Sequence, residues 1–371
     1  MSAMPPLSIL MKPASSLCNL RCGYCFYHDV VEHRSVKSYG IMREELLETI
    51  VRKALAQTEG FVSFAFQGGE PTLAGLEFFK RFSALVKQYN TQNVIVHNAI
   101  QTNGIVINDE WAAYFREQNF LVGLSLDGHR GINDKYRTAP DGSGSFEAIQ
   151  RTAKLFDKHD VQYNVLCVVT ADTAKNIRDI YRFFKERDYK YLQFIPCLDP
   201  MEEERGLRAH SLTPELYREF LCELFDCWYK NFKQGNYISV RQFDNWIHML
   251  NGRPPESCGM SGRCGCYFVI ESDGSVYPCD FYVTDKWNLG SIENRSFSYL
   301  MKQQTARDFV EESLLAEKKC RQCKHFRICR GGCKRDRLDG LEDNYFCEAY
   351  YDFFDYAYER LEEIAGMVRG G

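Results

Sequence analysis

The sequence has no apolar stretch near the roughly 20 residues needed to cross a bilayer, which argues against a membrane protein. It has no surplus of basic charge either. Lys and Arg number 46 against 50 Asp and Glu, a formal net charge of −4, so there is no global electrostatic case for nucleic acid. The opening stretch MSAMPPLSILMKPASS has no basic start followed by a long apolar core, so it does not read as a secretory signal. Internal repeats and low-complexity tracts are missing as well. These absences point to a soluble cytoplasmic protein. Its 371 residues, 45% apolar, suffice for a substantial core.

Cysteine is abundant, with 16 in the chain. In a reducing compartment that number points to metal or catalysis rather than disulfides. The positions are grouped. Cys18, Cys22 and Cys25 form a C-x3-C-x2-C cluster in SLCNLRCGYCFY. Cys258, Cys264, Cys266 and Cys279 form a second group, and Cys320, Cys323, Cys329, Cys333 and Cys347 a third. Cys167, Cys197, Cys222 and Cys227 lie among apolar residues and read as small buried hydrophobes.

From residue 7 to about 198, short apolar runs alternate with amphipathic stretches. The runs are LSILMKP, FVSFAFQ, VIVHNAIQTN, FLVGLSLDG, VQYNVLCVVT and YLQFIPC. Helices are expected over 43–58, 75–90, 108–118, 145–159 and 172–187. In the first, Leu46, Leu47, Ile50, Val51, Ala54 and Leu55 recur at helical spacing. This alternation predicts an α/β fold with a parallel sheet. About six βα units fit a partial (β/α)6 TIM-like barrel better than an open doubly wound sheet, although periodicity alone does not decide. The polar oddities follow the strands: the cysteine triplet, then GGEP (68–71), QTNG (101–104) and SLDG (125–128). Strand carboxyl ends are where βα barrels gather their chemistry. Beyond residue 198 the pattern changes. Helices are expected near 213–234 and 241–251, a hairpin turning at Asp273-Gly274 over 267–282, and a long aromatic helix at the end. The expected domains are a barrel over 1–235 and a cysteine-rich domain over 236–371.

Three neighbouring thiolates can bind zinc, with His28 as a fourth ligand, or three corners of a [4Fe–4S] cube with one iron left open. GGEP favours the second reading. Gly68 and Gly69 permit close approach to the backbone, and Glu70 can accept hydrogen bonds from an ammonium group. Together they suit an amino acid-like ligand beside an iron cluster.

CNLRCGYCFY followed by GGEP resembles the radical S-adenosylmethionine (SAM) enzymes. The later series Cys264, Gly274, Cys279, Cys320, Cys323, Cys329, Cys333 and Cys347 resembles the SPASM extension of peptide-modifying members, which carries two further [4Fe–4S] clusters. SFAFQGGEPTLAGLEFF, IQTNG, FLVGLSLDG and VIESDGSVYPCDFYV extend the resemblance over about 7–360 to the anaerobic sulfatase-maturating enzymes. That resemblance implies oxidation of a sulfatase cysteine or serine to Cα-formylglycine, with SAM and three [4Fe–4S] clusters as cofactors. It implies that Cys18, Cys22 and Cys25 hold the SAM cluster. Cys258, Cys264, Cys279 and Cys333 would hold a second cluster, and Cys320, Cys323, Cys329 and Cys347 a third. Cys266 could replace Cys264, and the sequence does not exclude it.

Tyr24, Gly69, Ser125, Arg137 and Leu198 are implied as SAM contacts, with Gly68 and Glu70 beside them. The loop 129–145 holding Arg137 is the most divergent part. Asp280, directly after Cys279, is implied as the catalytic proton acceptor; without the resemblance it would read as an ordinary polar residue ending a hairpin. Gln67, Gln101, Tyr27 and Asp127 are candidates for holding the substrate backbone. The implied partners are a sulfatase polypeptide in an unfolded or nascent state, with a C/S-x-P/A-x-R motif, and a low-potential electron donor such as ferredoxin or flavodoxin. A thioether-forming maturase is the rival reading. Such enzymes often carry a peptide-recognition domain before the barrel, and a first strand near residue 7 leaves no room for one.

Overall fold

The computed structural model describes residues 6–314, 318–337 and 343–370. Residues 1–5, part of the stretch read above as lacking a signal, lie outside that set. The elements open with β1 (Leu7–Met11), α1 (Phe26–Glu32), α2 (Glu44–Gln57), β2 (Phe61–Phe66), α3 (Leu76–Tyr89) and β3 (Ile95–Thr102). They continue with α4 (Asp109–Glu117), β4 (Phe120–Ser125), α5 (Arg130–Tyr136), α6 (Phe146–Lys158) and β5 (Tyr163–Val169). Next come α7 (Ala171–Lys175), α8 (Ile177–Glu186), β6 (Tyr191–Pro196), α9 (Pro214–Lys233), β7 (Ser239–Val240) and α10 (Arg241–Leu250). The later part holds β8 (Phe268–Ile270), β9 (Ser275–Tyr277), β10 (Gly290–Ser291), α11 (Phe297–Met301) and α12 (Gln304–Ser313). It ends with α13 (Lys318–Gln322), α14 (Phe326–Cys329) and α15 (Cys347–Gly370). No helix among the described residues is long and apolar enough to cross a membrane.

The chain divides into two compact units, neither of them a continuous segment. One comprises residues up to Ser125, 134–163 and 266–309; the other comprises 126–133, 164–265 and the residues from Val310 on.

In the first unit the strands lie in the order β10-β9-β8-β1-β2-β3-β4. β8 and β1 to β4 run parallel, while β9 pairs antiparallel with both β8 and β10. Phe64 and Phe66 of β2 meet Phe79 and Phe82 of α3, and Phe120 of β4 closes against Phe115. All six rings are buried, as the period-two and helical patterns required. The hairpin turns at Gly274, whose φ of 90° suits glycine, and Asp273 accepts the Ser275 N–H. What the sequence did not reveal is that β8 pairs with β1, matching Ile9, Leu10 and Met11 to Phe268, Val269 and Ile270. A hairpin from the cysteine-rich end thus extends the parallel sheet of the first half.

In the second unit β5, β6 and β7 run parallel. Thr213 caps α9 by accepting the Leu216 N–H at 3.3 Å, with Pro214 in the first turn. The aromatic C-terminal helix buries Phe353 and Phe354, which pack against Trp246 and, for Phe353, Phe225. The segment 129–145 is not wholly a loop: α5 occupies its first half, nucleated by the His129 carbonyl accepting the Ile132 and Asn133 N–H groups.

Trp228 is 1% exposed and donates its indole N–H to the Ile238 carbonyl at 2.8 Å. Trp228→Ala leaves a large cavity and an unpaired carbonyl. It should destabilise the protein by roughly 3–5 kcal/mol, measurable by denaturant unfolding.

Candidate active site

Strand register builds the floor of the site. Met11 pairs with Ile270 and Phe66, and Phe66 pairs with Ile100. One residue further along, Glu271, Lys12, Gln67 and Gln101 therefore stand abreast, on the side of the sheet opposite the buried Met11 and Phe66. Lys12 N–H donates to Ile270 O at 2.9 Å and Gln67 N–H to Met11 O at 3.0 Å, continuing the ladder to this level.

The cysteine loop is docked from two sides. Gly69 N–H donates to Ser15 O at 2.8 Å and Glu70 N–H to Leu17 O at 2.7 Å. A Cβ on Gly69 would lie 2.0 Å from Leu17 O, and one on Gly68, at φ 120°, would lie 2.9 Å from Ser15 O. The glycines thus admit the chain's own 15–17 segment as it runs into Cys18. On the other side, Arg21 N–H donates to Thr138 O at 2.7 Å and Gly23 N–H to Tyr136 O at 3.0 Å. That pairing brings Arg137 over the Tyr24 ring at 5.5 Å, and Tyr136 meets Tyr24 edge-on. Both Tyr24 and Arg137 are buried.

Glu70, 2% exposed, is already heavily bonded. Its Oε1 accepts from Thr72 N, Thr72 Oγ1 and Thr102 Oγ1, and its Oε2 accepts from Asn103 N at 2.8 Å. Asn103, held this way, donates through Nδ2 to Asn19 Oδ1 at 2.7 Å and to Cys18 Sγ at 3.8 Å. Glu70 thus positions the Cys18 loop through Asn103, a link sequence spacing does not show. Burial pushes the Cys18 thiol up to about 11, against the lowering pull of the Leu20 N–H and the Asn103 amide. Cys25 caps α1, and burial raises its thiol too, opposed by the Tyr27 and His28 N–H groups and by the charges of Arg137 and Lys12. These donors suit thiolates that become charged on iron. His28 points outward from α1 and is exposed.

Asp280 comes to the same level from the hairpin. It is 4% exposed, and its Oδ2 accepts the Tyr27 hydroxyl at 2.5 Å. Among the described residues its Oδ1 accepts no hydrogen bond within 3.5 Å, and it lies 3.6 Å from Lys12 Nζ. Lys12 Nζ is also 3.4 Å from Glu271 Oε1 and 4.4 Å from the Tyr27 ring centroid. Arg34 donates to Glu271 at 2.7 Å. Arg34, Glu271, Lys12 and Asp280 thus form a buried chain of two cations and two carboxylates. Burial alone would raise Glu271, but Lys12 and Arg34 hold it below the usual carboxylate range. Burial raises Asp280, with Lys12 and Tyr27 opposing. Burial and the Asp280 charge hold Tyr27 well above its ordinary value, so its proton stays in place as the donor. Lys12, Arg34 and Glu271 were missed in the sequence. The available signal was a charged residue ending each of two buried apolar runs, ILMK and FVIE.

Ser125 ends β4 and is buried. In the second unit, Leu198 follows β6 and is half-buried. Asp127, a candidate for holding substrate, accepts the Val168 N–H at 2.9 Å and is 2% exposed, so it holds the fold together. The third cysteine group encloses a space: Cys320, Cys323, Cys329 and Cys347 line one cavity of about 570 Å³ with Tyr351 and Phe354. Burial pushes the Cys329 thiol up to about 11, with Cys347, Cys320 and Cys323 adding repulsion. Four thiols spread around such a volume suit a cluster; among the described residues no three His, Cys, Asp or Glu converge for a single ion. Cys258 and Cys264 are close enough to repel electrostatically, and a Cβ on Gly259 would lie 3.5 Å from Cys333 Cβ. On Cys266, burial alone acts, raising it to about 11.

Comparison with known proteins matches residues 13–184 to the Radical SAM superfamily and 258–324 to an iron–sulfur cluster-binding domain. A cysteine-type anaerobic sulfatase-maturating enzyme of Clostridium perfringens strain 13 is 49% identical, covering 99% of this chain and 100% of the relative. A serine-type anaerobic sulfatase-maturating enzyme of Bacteroides thetaiotaomicron is 33% identical, covering 95% and 89%. The solved structure of native anSMEcpe with bound AdoMet and the Cp18Cys peptide superposes with a TM-score of 0.95 at 48% identity, covering 98% of this chain and 100% of that one. The α/β radical SAM fold follows.

Lys12→Met leaves two buried carboxylates facing one cation. It should cost roughly 3–5 kcal/mol of stability in denaturant unfolding. Cys329→Ala should lower the iron content of anaerobically isolated protein by about a third, while Cys266→Ala should leave it unchanged.

Proposed function

The chain belongs to the anaerobic sulfatase-maturating enzymes, and from that premise we propose that it oxidises a cysteine of a sulfatase polypeptide to Cα-formylglycine. It is a radical SAM oxidoreductase with SAM and three [4Fe–4S] clusters as cofactors. The cysteine target is favoured because the cysteine-type relative is 49% identical and the serine-type one 33%. The observation that carries the reading is Asp280, buried, bonded to Tyr27 two residues past Cys25, with Oδ1 left open.

Cys18, Cys22 and Cys25 would hold the cluster that binds SAM, and Tyr24, Gly68, Gly69, Glu70, Ser125, Arg137 and Leu198 are the proposed SAM contacts. Cys258, Cys264, Cys279 and Cys333 would hold one auxiliary cluster, with Cys266 the alternative to Cys264. Cys320, Cys323, Cys329 and Cys347 would hold the other. When bound, these groups supply the 5′-deoxyadenosyl radical that takes one hydrogen atom from the target Cβ, and the acceptor for one electron. The protein's own work is positioning and proton transfer. Gln67 and Gln101, abreast of Lys12, offer amides to the substrate backbone. Asp280 Oδ1 accepts the thiol proton while Tyr27 fixes Oδ2 and Lys12 stabilises the carboxylate. The side chain –CH2–SH thereby loses one hydrogen atom, one proton and one electron and becomes –CH=S. Water then replaces sulfur, releasing hydrogen sulfide and leaving the aldehyde. The scheme also needs a low-potential electron donor of the ferredoxin or flavodoxin kind.

The test is anaerobic: reconstituted enzyme, SAM, reductant and a C-x-P-x-R peptide, read by mass spectrometry with aldehyde trapping. A trapped aldehyde that has exchanged sulfur for oxygen supports the proposal. Loss of two hydrogens without an aldehyde would indicate a crosslinking maturase instead. In the same assay Asp280→Asn should lower aldehyde formation on the order of 10²-fold or more while SAM cleavage continues. Unchanged aldehyde would remove Asp280 as the base.

A further inference from the structure

The reaction separates a proton from an electron, and the two implied acceptors are neighbours in the chain. Asp280 takes the proton, and Cys279 is a ligand of the cluster that can take the electron. This argument rests on that reading of the two residues. One further side chain touches both. The Tyr267 hydroxyl accepts the Asp280 backbone N–H at 3.1 Å and lies 3.8 Å from Cys279 Sγ, toward which it donates.

The contact is set by sheet register. In the β8–β9 hairpin Val269 pairs with Tyr277 and Ile270 with Val276. Continuing that register by two residues places Tyr267 directly across from Cys279. The phenol is anchored on a short apolar hairpin whose strands are buried, so its position is inherited from the sheet. A phenol has one O–H to donate and lone pairs to accept. Bonded as it is, it accepts from the peptide that orients the base and donates to the sulfur that binds iron.

A donor aimed at a ligating sulfur stabilises the more negative, reduced state of a cluster, and hydrogen bonds to the sulfurs are one of the determinants of its potential. We propose that Tyr267 is a positioning residue that raises the reduction potential of the cluster held by Cys279, while its bond to the Asp280 N–H fixes the base beside it. The electron balance is that of the reaction itself. The substrate radical –CH•–SH gives one proton to Asp280 and one electron to the oxidised cluster, and a C=S bond forms. Tyr267 neither gains nor loses a proton. It makes the cluster the better acceptor at the place where the proton leaves.

The experiment is an EPR-monitored redox titration of the reconstituted, substrate-free holoenzyme and its Tyr267→Phe variant. The potential of one cluster should move to a more negative value, with the other two unmoved. In turnover, the aldehyde formed per 5′-deoxyadenosine released should fall, because the radical is less readily oxidised. Three potentials equal to wild type in an iron-replete variant overturn the inference. Cys279→Ala separates this outcome from failure of the ligand reading: loss of one cluster's signal keeps Cys279 as a ligand, and full retention of iron removes it and the proposal with it. If Tyr267→Phe does not retain its clusters, a fluorinated tyrosine at the same position decides, since its hydroxyl is the stronger donor. The potential must then rise, and an unmoved potential overturns the proposal.

Discussion

The pairing of β8 with β1, and the buried charges it brings together, is the constraint on which the rest of the site depends. Arg34, Glu271, Lys12 and Asp280 are each 5% exposed or less. Burying any of these charges alone would cost several kcal/mol. Two cations and two carboxylates alternating along one line satisfy one another. The line crosses the chain: Lys12 ends β1, Arg34 follows α1, and Glu271 and Asp280 flank β9. Folding the hairpin without the first strand would strand Glu271 and Asp280 in a dry interior. Folding the first strand without the hairpin would strand Lys12. The charge balance therefore selects the register of β8 against β1, since a slip of one residue would turn Glu271 to the other face.

A second constraint follows for the cysteine loop. A loop that is to offer three sulfurs to one cluster, as proposed for Cys18, Cys22 and Cys25, has no room for a large error in backbone position. Here it is held by backbone hydrogen bonds to 69–70 on one side and to 136–138 on the other. Gly69 is required because Leu17 O occupies the space its Cβ would fill. Glu70 accepts four hydrogen bonds and turns its acidity into geometry, tying the end of β3 to the loop through Asn103. A segment expected to serve a ligand is thus first a device for docking the loop.

Much of this was legible in the sequence and some was not. The helix over 44–57 was readable from apolar residues recurring at helical spacing, and strands such as β2 and β4 from short, nearly continuous apolar runs. The cysteine groups were readable because spacing carries their chemistry. The ion chain was not. Lys12 and Glu271 are 259 positions apart, and nothing in either neighbourhood names the other. The further bonds of Glu70 were not legible for the same reason, since its partners Thr102 and Asn103 come from the end of the next strand. That Asp127 also accepts the Val168 N–H was likewise not legible, because the partner lies 41 residues away. Local pattern reports what an element is; which side chains it meets depends on sheet order, and here that order places a C-terminal hairpin first.

The placement of Asp280 joins these constraints to the chemistry. A base that accepts a thiol proton needs a carboxylate that is charged at rest yet basic. Burial raises its basicity by disfavouring the ion, and Lys12 at 3.6 Å opposes that shift. Tyr27 bonds one oxygen, and the other faces Lys12 Nζ at 3.6 Å. The same Lys12 that balances the fold therefore faces the proposed base, and Glu271, Asp280 and the Tyr27 ring together surround its ammonium. The chemistry proposed for Asp280 and the pairing at β1 draw on one set of charges, so the sheet register that folds the hairpin also sets where its carboxylate lies.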